Sequence, residues 1–475
     1  MRGHTIVIDI GKTRSKASLW SADGRRLAYR ARRNLSIQGP GYRALDAQGI
    51  ESWLVKALAE LGTLAPVARV IPVAHGAAMA LLRDGKLLLP PMDYEQPIPA
   101  DVNEQYNSER DPFALTGSPE LPAGLNLGAQ LHWLQVLSPQ AFSDGTTLVP
   151  WSQYWAWRLC GQVASEVTSL GCHTDLWFPE HGGPSMLAQR RGWAEMLAPR
   201  RHASDCLGTL SAEWSRRTGL PRQTEVFCGL HDSNAALLAA RGIAQVAGRD
   251  STVLSTGTWF IALRSPVARF DLAQLPVGRD CLVNVDVDGA PVPSARFMGG
   301  REIETLVGTD HQVIDRPEWQ ARLLATVSKV LACGLRVRPT LVAGCGPYPN
   351  QSGGWLQEPI DPLQSAVAAA LYAALVADVS LELIGSQGLL LIEGRFAASR
   401  VFARALATLR PDMECLTADA GLDVSFGALR LIDAKLTPEK SLRRVEPLPI
   451  DLAQLRAQWR ADAECLVHEL GDRTT

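Results

Sequence analysis

The chain has 475 residues, of which 46% are hydrophobic and 20% charged, and its formal net charge is −2. This length exceeds what one hydrophobic core usually supports, so we expect two large domains. A net charge so close to zero gives no general attraction to nucleic acid or to an anionic membrane, and neither is expected as a partner.

Targeting signals and cysteine spacing both point to the cytoplasm. The N-terminus enters an apolar strand without the charged region and cleavage site of a secretory signal. No uninterrupted apolar run reaches the roughly 20 residues of a membrane helix. The nine cysteines include no C-x-x-C pair and no zinc-spaced histidines. We therefore expect reduced thiols in a cytoplasmic protein.

The first informative segment, residues 5–19 (TIVIDIGKTRSKASL), predicts a β-hairpin with an acid at the end of its first strand. The backbone N–H groups of the turn at Gly11, with the hydroxyls of Thr13 and Ser15, can bind phosphate oxygens. Asp9 can then hold the Mg²⁺ that accompanies a nucleotide. The alternative is an ordinary hairpin in which Asp9 only begins a turn.

The same segment imitates the end of a P-loop, Gly11-Lys12-Thr13. That motif requires glycine five residues before Gly11, where Ile6 stands, and a helix after the turn. A second strand is predicted instead, so the segment is not a P-loop.

A third strand at 27–34, a helix at 46–61 and a strand at 67–73 follow. The last strand ends at His75 and Gly76, and a polar, proline-rich loop containing Asp93 comes after a second hairpin. Such residues can bind the hydroxyl groups of a polyol. A lone histidine is just as often purely structural, so both interpretations of His75 stay open.

The middle of the chain gives weaker signals. We predict loops at 101–118 and 167–177 and a helix at 128–137. The aromatic side chains Tyr154, Trp155 and Trp157 lie close together in the sequence. They form either part of a core or a platform on which a sugar ring stacks.

Residues 225–240 (EVFCGLHDSNAALLAA) predict a short strand, a turn at Gly229 and an alanine-rich helix. Asp232 falls at the start of that helix, where free N–H groups and the helix dipole stabilise a carboxylate. Asp232 is therefore either a simple N-cap or a catalytic acid–base group.

Residues 253–263 (VLSTGTWFIAL) repeat the design of the first hairpin, with Thr256, Gly257 and Thr258 in the turn. Two such turns, about 240 residues apart, are what two homologous halves clasping one nucleotide would contain. Further on, a buried strand at 389–392 leads through Gly394 into a helix. Such a strand–turn–helix is a suitable place for adenosine to lie against backbone.

These stretches, in this order, resemble the FGGY family of carbohydrate kinases, within the superfamily of actin, hexokinase and Hsp70 ATPases. The resemblance extends from Ile6 to about Leu436. DIGKTRSKASLW is similar to the first phosphate motif, STGTW to the second, and GLHDSNAA to the segment with the general base.

The resemblance implies an α/β fold of two ribonuclease-H-like domains with an interdomain cleft, the duplication found in actin-like ATPases. It implies ATP and Mg²⁺ as cofactors, Asp232 as the base and Asp9 as the metal ligand. The implied nucleotide-binding residues are Gly11, Lys12, Thr13, Ser15, Thr256, Gly257, Thr258 and Gly394. The implied substrate-binding residues are His75, Gly76, Asp93 and Asp232.

Three departures from the family pattern affect these assignments. The adenosine turn has Glu393 and Arg395 where the family usually has glycine, and Lys12 and Arg14 replace residues that are commonly small. His75-Gly76 is similar to the motif of xylulokinases without its methionine, whereas His231-Asp232 is closer to rhamnulokinases. The two cues indicate different ketoses.

The sequence thus predicts an ATP-dependent kinase acting on a terminal hydroxyl of a ketose such as xylulose, rhamnulose or fuculose. Its N-terminal domain would span 1–240, with the sugar site and first phosphate loop, and its C-terminal domain 241–475, with the second loop and the adenosine site. A homodimer is expected. The alternatives are a catalytically inactive sugar-binding regulator with the same fold and, less favoured, an actin-like structural ATPase. A serine hydrolase would need a G-x-S-x-G elbow, which is absent.

Overall fold

The fold is described from a computed structural model covering residues 3–418, 422–438 and 441–464, without the side chains of 309 and 310.

The strands in these ranges follow in chain order: β1 His4–Ile10, β2 Arg14–Trp20, β3 Arg26–Arg33, β4 Ser36–Gln38, β5 Arg43–Leu45, β6 Val67–Ala74, β7 Met79–Arg83, β8 Lys86–Leu87, β9 Thr147–Pro150, β10 Trp177–Phe178, β11 Gly183–Pro184, β12 Cys206–Thr209, β13 Glu225–Phe227, β14 Leu230–His231, β15 Ser251–Thr256, β16 Phe260–Ser265, β17 Cys281–Val285, β18 Pro291–Phe297, β19 Val337–Arg338, β20 Gly354–Trp355, β21 Leu389–Gly394, β22 Glu414–Ala418 and β23 Leu442–Arg444.

The α-helices are α1 Ala47–Gly62, α2 Ala100–Glu109, α3 Phe113–Thr116, α4 Leu127–Leu137, α5 Trp151–Cys160, α6 Val167–Leu170, α7 Met186–Arg190, α8 Trp193–Met196, α9 Ala212–Thr218, α10 Asp232–Arg241, α11 Gly299–Val307, α12 Gln320–Ala332, α13 Pro362–Leu383, α14 Arg400–Leu409, α15 Val424–Leu429 and α16 Ala453–Glu464. Short 3₁₀ helices span Pro139–Phe142, Leu272–Gln274, Gly308–Ile314, Pro317–Trp319 and Arg395–Ala398.

The chain divides into two compact units. The first contains residues 1–247, 283–291 and 423–438, and the second contains 248–282, 292–422 and 439–475. These units are defined by packing and include returning segments, so the functional domains predicted at 1–240 and 241–475 stay a prediction.

The main sheet of the first unit is built around β1. Its strand order is β12, β13, β6, β1, β2, β3, and β14 also pairs with β6. Strands β1, β2 and β3 form an antiparallel meander, whereas β6 runs parallel to β1 and β13 parallel to β6. The hairpin predicted at residues 5–19 is therefore confirmed.

The main sheet of the second unit repeats this arrangement around β15. Strands β15, β16 and β18 are antiparallel neighbours, β21 lies parallel to β15, and β22 lies parallel to β21. A three-stranded meander followed by two parallel strands is thus present in both units, which confirms the prediction of two ribonuclease-H-like α/β domains.

The core of the first unit follows from the apolar pattern of its strands and helices. Ile6 and Ile8 of β1 are fully buried in one cluster with Leu54 and Leu58 of α1. Each such side chain contributes roughly 1.5–3 kcal/mol relative to an exposed one. Helix α1 begins after Asp46, whose carboxylate accepts the Gly49 N–H at 2.8 Å.

One loop predicted from sequence, 101–118, is wrong, and a second, 167–177, is wrong at its start. Residues 101–118 contain α2 and α3, because Val102 and Tyr106 face a buried cluster that their polar neighbours conceal in the sequence. Residues 167–177 begin with the single-turn helix α6.

Helix α13 is, among the described residues, the one helix long and apolar enough to cross a membrane. However, 89% of its most apolar 18-residue window is buried inside the protein, as in the central helix of a globular domain. Gln364, Asp378 and Glu382 interrupt its apolar run, so the sequence shows a long helix there without an uninterrupted apolar stretch of about 20 residues.

Candidate active site

The turn after β1, here called the Gly11 turn (residues 11–13), is closed by its own backbone and by Asn34. The Gly11 N–H donates to the Arg14 carbonyl at 3.1 Å. The Asn34 side chain donates to the Gly11 carbonyl at 2.7 Å, and the Asn34 N–H donates to the Thr13 carbonyl at 2.9 Å. Asn34 follows β3, so no local pattern at the turn indicated this role.

The Ser15 hydroxyl is committed elsewhere. It is fully buried in β2 and donates to Oδ1 of Asn34 at 2.9 Å. The structure therefore does not support the prediction that this hydroxyl donates to phosphate, whereas Thr13 is exposed at the turn.

Asp9 is a buried carboxylate at the end of β1. Its Oδ2 lies 3.3 Å from Nζ of Lys16, which is half exposed. Burial raises the pKa of Asp9 to about 6, and the nearby carboxylates of Asp232 and Asp423 add to this effect while Lys16 opposes it. A second cation near Asp9 would therefore stabilise its ionised form.

Lys12 and Asp93, predicted to bind phosphate and sugar respectively, bind each other. The Lys12 ammonium lies 2.5 Å from Oδ2 of Asp93 and 3.4 Å from Oε2 of Glu95. Oδ2 of Asp93 also accepts the Ser36 hydroxyl and lies 3.2 Å from Nε of Arg43.

These contacts give Asp93 a role within the protein that the sequence did not indicate. Its side chain is fully buried, and its other oxygen accepts the Glu95 N–H at 2.9 Å. Both oxygens are therefore engaged within the protein in this arrangement, and a direct contact of Asp93 with substrate stays a prediction. The carboxylate of this loop that reaches solvent is that of Glu95, whose side chain is 58% exposed.

A cavity of about 260 Å³ opens between the Gly11 turn and the end of β6. Its lining includes Asn34, Ser36, His75, Glu95 and Trp151. It is slightly smaller than the roughly 300–1,000 Å³ pockets that enclose drug-sized ligands, so it suits a small molecule.

His75 is the most unusual residue of this lining. It is 8% exposed, and neither ring nitrogen has a hydrogen-bond partner among the described residues. Burial lowers the pKa of His75 to about 4, so the ring is neutral at pH 7, with one donor and one acceptor. Both ring nitrogens are therefore available to a ligand in this cavity.

Gly76 allows close packing behind the site. A Cβ atom there would lie 2.1 Å from Sγ of Cys172 and 3.1 Å from Cδ2 of His231. The glycine is therefore required by the contact between the end of β6 and His231, while the predicted contact of Gly76 with substrate stays a prediction.

Asp232 is the first residue of α10, and His231 is its N-cap residue. Oδ1 of Asp232 lies 3.1 Å from Nε2 of His231 and accepts the Ser233 N–H at 2.7 Å. The N-cap position is occupied by His231, whose side chain makes no capping hydrogen bond, so Asp232 is not the simple N-cap that was the alternative. Its side chain is 30% exposed, and Oδ1 carries both contacts.

The two charges of this pair support each other. Burial alone would raise the pKa of Asp232, but the hydrogen bond and charge of His231 hold it below the usual value. Burial would lower the pKa of His231, but Cys172 and Asp232 reverse this and raise it. Asp232 is thus an ionised carboxylate at neutral pH, able to accept a proton.

Beside His231 lies the loop that contains His173 and Asp175, within the predicted loop at 167–177, and two of its residues have left-handed backbone conformations. His173, whose ring is perpendicular to that of His231 at 6.5 Å, has φ +36°, and Asp175 has φ +60°. Asp175 is buried and accepts hydrogen bonds from Tyr106 at 2.6 Å and from Nε of Arg110 at 2.7 Å. Such left-handed residues persist only where their surroundings hold them, and they are common at functional sites.

The aromatic residues of α5 form core. Trp155 is fully buried, and Tyr154 and Trp157 are nearly so, which decides against a sugar platform for these three. Trp151, one turn earlier, is the aromatic residue of this helix that lines the cavity.

In the second unit, the Gly257 turn (residues 256–258) connects β15 and β16. The Gly257 N–H donates to the Trp259 carbonyl at 3.0 Å, and Thr258 is exposed. The Thr256 hydroxyl donates to the Glu393 carbonyl at 2.5 Å and accepts the Phe396 N–H at 3.0 Å. It therefore joins β15 to the β21 turn, so the structure does not support it as a phosphate donor.

Gly394 lies directly beside Thr256 in the parallel pair of β15 and β21. Its φ is +85°, and a Cβ atom would lie 2.2 Å from the Thr256 carbonyl oxygen. Only glycine satisfies both conditions. The neighbouring Arg395 forms a bidentate pair with Asp315, with Nε–Oδ2 at 2.5 Å and Nη2–Oδ1 at 3.2 Å.

A larger cavity, about 670 Å³, adjoins this turn within the second unit. Its lining includes Asp315, Gln320, Ala397, Ala398, Arg400 and Arg404. The cavity lies where adenosine was predicted, after the β21 turn.

A dedicated metal cage is absent from the described residues, where no group of three or more His, Cys, Asp or Glu side chains is placed to hold a metal ion. Mg²⁺ usually keeps several waters and binds one or two carboxylates together with substrate phosphates. Asp9 fits that mode because it is a single buried carboxylate beside a turn that can bind phosphate.

Comparison with known proteins agrees with this geometry. The C-terminal domain of FGGY carbohydrate kinases matches residues 248–440. A solved carbohydrate kinase from Novosphingobium aromaticivorans is 54% identical, covers 98% of this chain and 99% of its own, and has a TM-score of 0.93. The solved xylulose kinase from Rhodospirillum rubrum is 19% identical, with 99% of both chains covered and a TM-score of 0.79, and supports the fold.

A curated relative, the L-fuculokinase of Salmonella typhi, is 29% identical over 183 residues. The match spans 38% of this chain and 37% of that protein. Taken with the near full-length similarity to the Novosphingobium enzyme, these matches show that the chain belongs to the FGGY family of carbohydrate kinases.

Proposed function

We propose that this protein transfers the γ-phosphoryl group of ATP to a terminal hydroxyl of a ketose, with Mg²⁺ as cofactor. The observation that carries the proposal is the unpaired, neutral His75 ring in the wall of a cavity of about 260 Å³. A sugar hydroxyl can donate to one ring nitrogen and accept from the other, which would satisfy a buried group that otherwise lacks partners.

Asp232 is assigned the general base. As the new O–P bond forms and the bond from phosphorus to the ADP oxygen breaks, the sugar hydroxyl loses its proton to Asp232. The assignment is supported by the engagement of Oδ1 with His231 and Ser233, because a carboxylate held through one oxygen presents the other in a fixed direction.

Sugar recognition is assigned to His75, Glu95 and Asp232, with Gly76 contributing backbone. Glu95 takes the role that the sequence suggested for Asp93, because Asp93 already binds Lys12 and Ser36. Lys12, held by Asp93 in this arrangement, connects the Gly11 turn to the loop that contains Asp93 and Glu95.

Nucleotide binding is assigned to the backbone of the Gly11 turn with Thr13, to Gly257 and Thr258, and to the cavity beyond Gly394. Asp9 is assigned as the protein ligand of the metal, which when bound to ATP neutralises charge on the transferring group. The cation beside the Asp9 carboxylate is Lys16, whose side chain is half exposed. Lys16 therefore neutralises the negative charge of Asp9 only in part, and a metal ion would add the remaining positive charge.

L-Fuculose heads the candidate substrates because the curated relative acts, by its name, on that sugar. Xylulose and rhamnulose stay as alternatives. We further propose a cytoplasmic homodimer, which fractionation and light scattering would check.

The test is a coupled ADP-release assay over fuculose, rhamnulose, xylulose, ribulose, fructose, erythrulose and glycerol. We expect one ketose to stimulate turnover, and Asp232→Asn to reduce kcat by about 10²–10⁴-fold while ADP affinity changes little. Asp23→Asn, at an exposed turn, is the matched control and should behave like the wild type.

Two outcomes would contradict the proposal. Turnover by Asp232→Asn comparable to that of the wild type would show that Asp232 is not the general base. Sugar binding by calorimetry without turnover on any sugar would favour the inactive regulator instead.

A further inference from the structure

We propose that Glu166 and Thr168 form a positioning network that fixes the direction of the Asp232 carboxylate. The inference rests on the proposed role of Asp232 as the base. Neither residue was indicated by the sequence, and both are fully buried. They act on Asp232 through His231.

The network begins with three donors directed at one carboxylate. Oε1 of Glu166 accepts the Thr168 N–H at 2.9 Å, and Oε2 accepts the Thr168 hydroxyl at 2.6 Å and the Ser169 N–H at 3.2 Å. Glu166 thereby caps α6 and also fixes the direction of the Thr168 hydroxyl.

The oriented hydroxyl then reaches the residue before the base. Because Oγ1 of Thr168 gives its proton to Glu166, its lone pairs face away, and one accepts the His231 N–H at 3.0 Å. Helix α10 receives no capping hydrogen bond from the side chain of its N-cap residue. Its first residues are therefore held from outside, by Thr168, at the peptide that leads into Asp232.

The far side of His231 is held equally closely. Its ring packs against Gly76, where an added Cβ would lie 3.1 Å from Cδ2, and its Nε2 meets Oδ1 of Asp232 at 3.1 Å. His231 is thus fixed through its backbone by Thr168 and through its ring by Gly76. A small rotation of His231 would turn Asp232 away from the substrate hydroxyl, and misplacement by 1 Å can cost about 10²-fold in rate.

Thr168→Val tests the network with little change in volume, because it replaces the hydroxyl by a methyl group. We expect kcat to fall by about 10–100-fold, the range typical when a group that orients an active-site ligand is removed. The KM values for sugar and ATP should stay within about threefold of wild type. Thr168→Ser retains the hydroxyl, and we expect it to restore most of the lost kcat.

A purely structural role would give a different pattern. It would lower the folded fraction of Thr168→Val and leave kcat per folded molecule unchanged, and that result would overturn the proposal. Equal impairment of Thr168→Ser and Thr168→Val would overturn it too. If Thr168→Val does not fold, Glu166→Gln takes its place. Its side-chain amide would place an N–H group where Glu166 now accepts hydrogen bonds from Thr168 and Ser169. We expect the same loss of kcat with KM retained, and wild-type kcat would count against the network.

Failure of this inference is distinguishable from failure of the proposed function. Activity in Asp232→Asn would remove the base assignment itself. An inactive Asp232→Asn together with a fully active Thr168→Val would leave the base in place and reject only the network.

Discussion

At the scale of single residues, Asp9 shows how a proposed functional group can oppose stability. Its pKa is raised by burial from 3.8 to about 6, so the folded protein binds a proton more tightly there than the unfolded chain does. Each pKa unit is worth about 1.4 kcal/mol. Ionised Asp9 at pH 7 therefore costs on the order of 3 kcal/mol of folding free energy.

Replacing Asp9 by asparagine should separate these effects. Stability from Asp9 is present below pH 3.8 and is lost as the pH rises through about 6. We therefore expect Asp9→Asn, without Mg²⁺, to melt above the wild type at pH 7.5 and by a smaller margin at pH 5. Its Mg²⁺-dependent turnover should be abolished. Calorimetry at both pH values checks this.

Lys16→Met is the opposite control for Asp9. It removes the cation beside the carboxylate, so it should lower the melting temperature at pH 7.5. A melting temperature of Asp9→Asn below that of the wild type at pH 7.5 would show that the ionised carboxylate is not a destabilising group.

Asp93 and Glu95 allow a structural role and sugar recognition to be tested separately, because Asp93 is buried in an ion pair and Glu95 is exposed. Asp93→Asn leaves Lys12 and Arg43 without their shared carboxylate, and we expect it to destabilise the protein by about 1–3 kcal/mol. Glu95→Gln changes an exposed group, so we expect an unchanged melting temperature and a higher KM for sugar. Urea unfolding and sugar titrations distinguish the two, and the reverse pattern would return recognition to Asp93.

Single residues were predictable where their role depends on local pattern. Asp9 and Asp232 follow buried strands, which is visible in sequence, and the resemblance added their proposed roles. Asn34 and Thr168 were not singled out, because what matters about each is a contact with a distant segment. Ser15 and Thr256 were misjudged for the same reason, since their hydroxyls bind partners that the turn sequence does not contain.

At the scale of elements, α10 depends on α15 for its position. Helix α15 packs against α10 so closely that a Cβ atom on Gly427 would lie 1.7 Å from the Ala235 carbonyl oxygen. Alanines along α10 leave room for this approach. The helix that begins with Asp232 is therefore held at its first turn by Thr168 and along its length by α15.

Gly427→Ala should disturb this packing. The added methyl group must push α10 and α15 apart, and overpacking of this kind costs about 1–3 kcal/mol. We expect a lower melting temperature and a reduced kcat. Gly183→Ala is the matched control, because no atom lies within 4 Å of a Cβ there. A normal kcat in Gly427→Ala would mean that Asp232 does not depend on α15.

Elements were predictable when their apolar period was clear. The hairpins at residues 5–19 and 253–263 follow from apolar alternation, and α1 follows from helical spacing. The structure confirms all three elements. Helices α2 and α6 were assigned as loops because their polar residues are structural. The Tyr106 hydroxyl binds Asp175, and the Glu166 side chain is a buried helix cap. A hydrophobicity pattern predicts such polar side chains to be exposed, although both are buried.

At the scale of the whole molecule, the pair of similar hairpins was enough to predict a duplicated fold. The order of strands within each sheet then follows from the short connections of the meander and the parallel strands beside it. The return of residues 423–438 to the first unit could not be predicted, because its short helix has no distinctive pattern. It belongs there through contacts such as that of Phe426 with Trp20, whose ring centres are 6.0 Å apart.

This return has a consequence for the order in which the protein matures during synthesis. The ribosome completes every strand of the first sheet by residue 231, but α15 is made only after the chain has passed through the second unit. At about 5–20 residues per second, this interval lasts on the order of 10–40 s. Throughout it, the alanine-rich face of α10 is uncovered on the nascent chain. The helix carrying Asp232 is therefore among the last parts to reach its final packing, so a released N-terminal fragment would be a target for chaperones rather than a half-active enzyme.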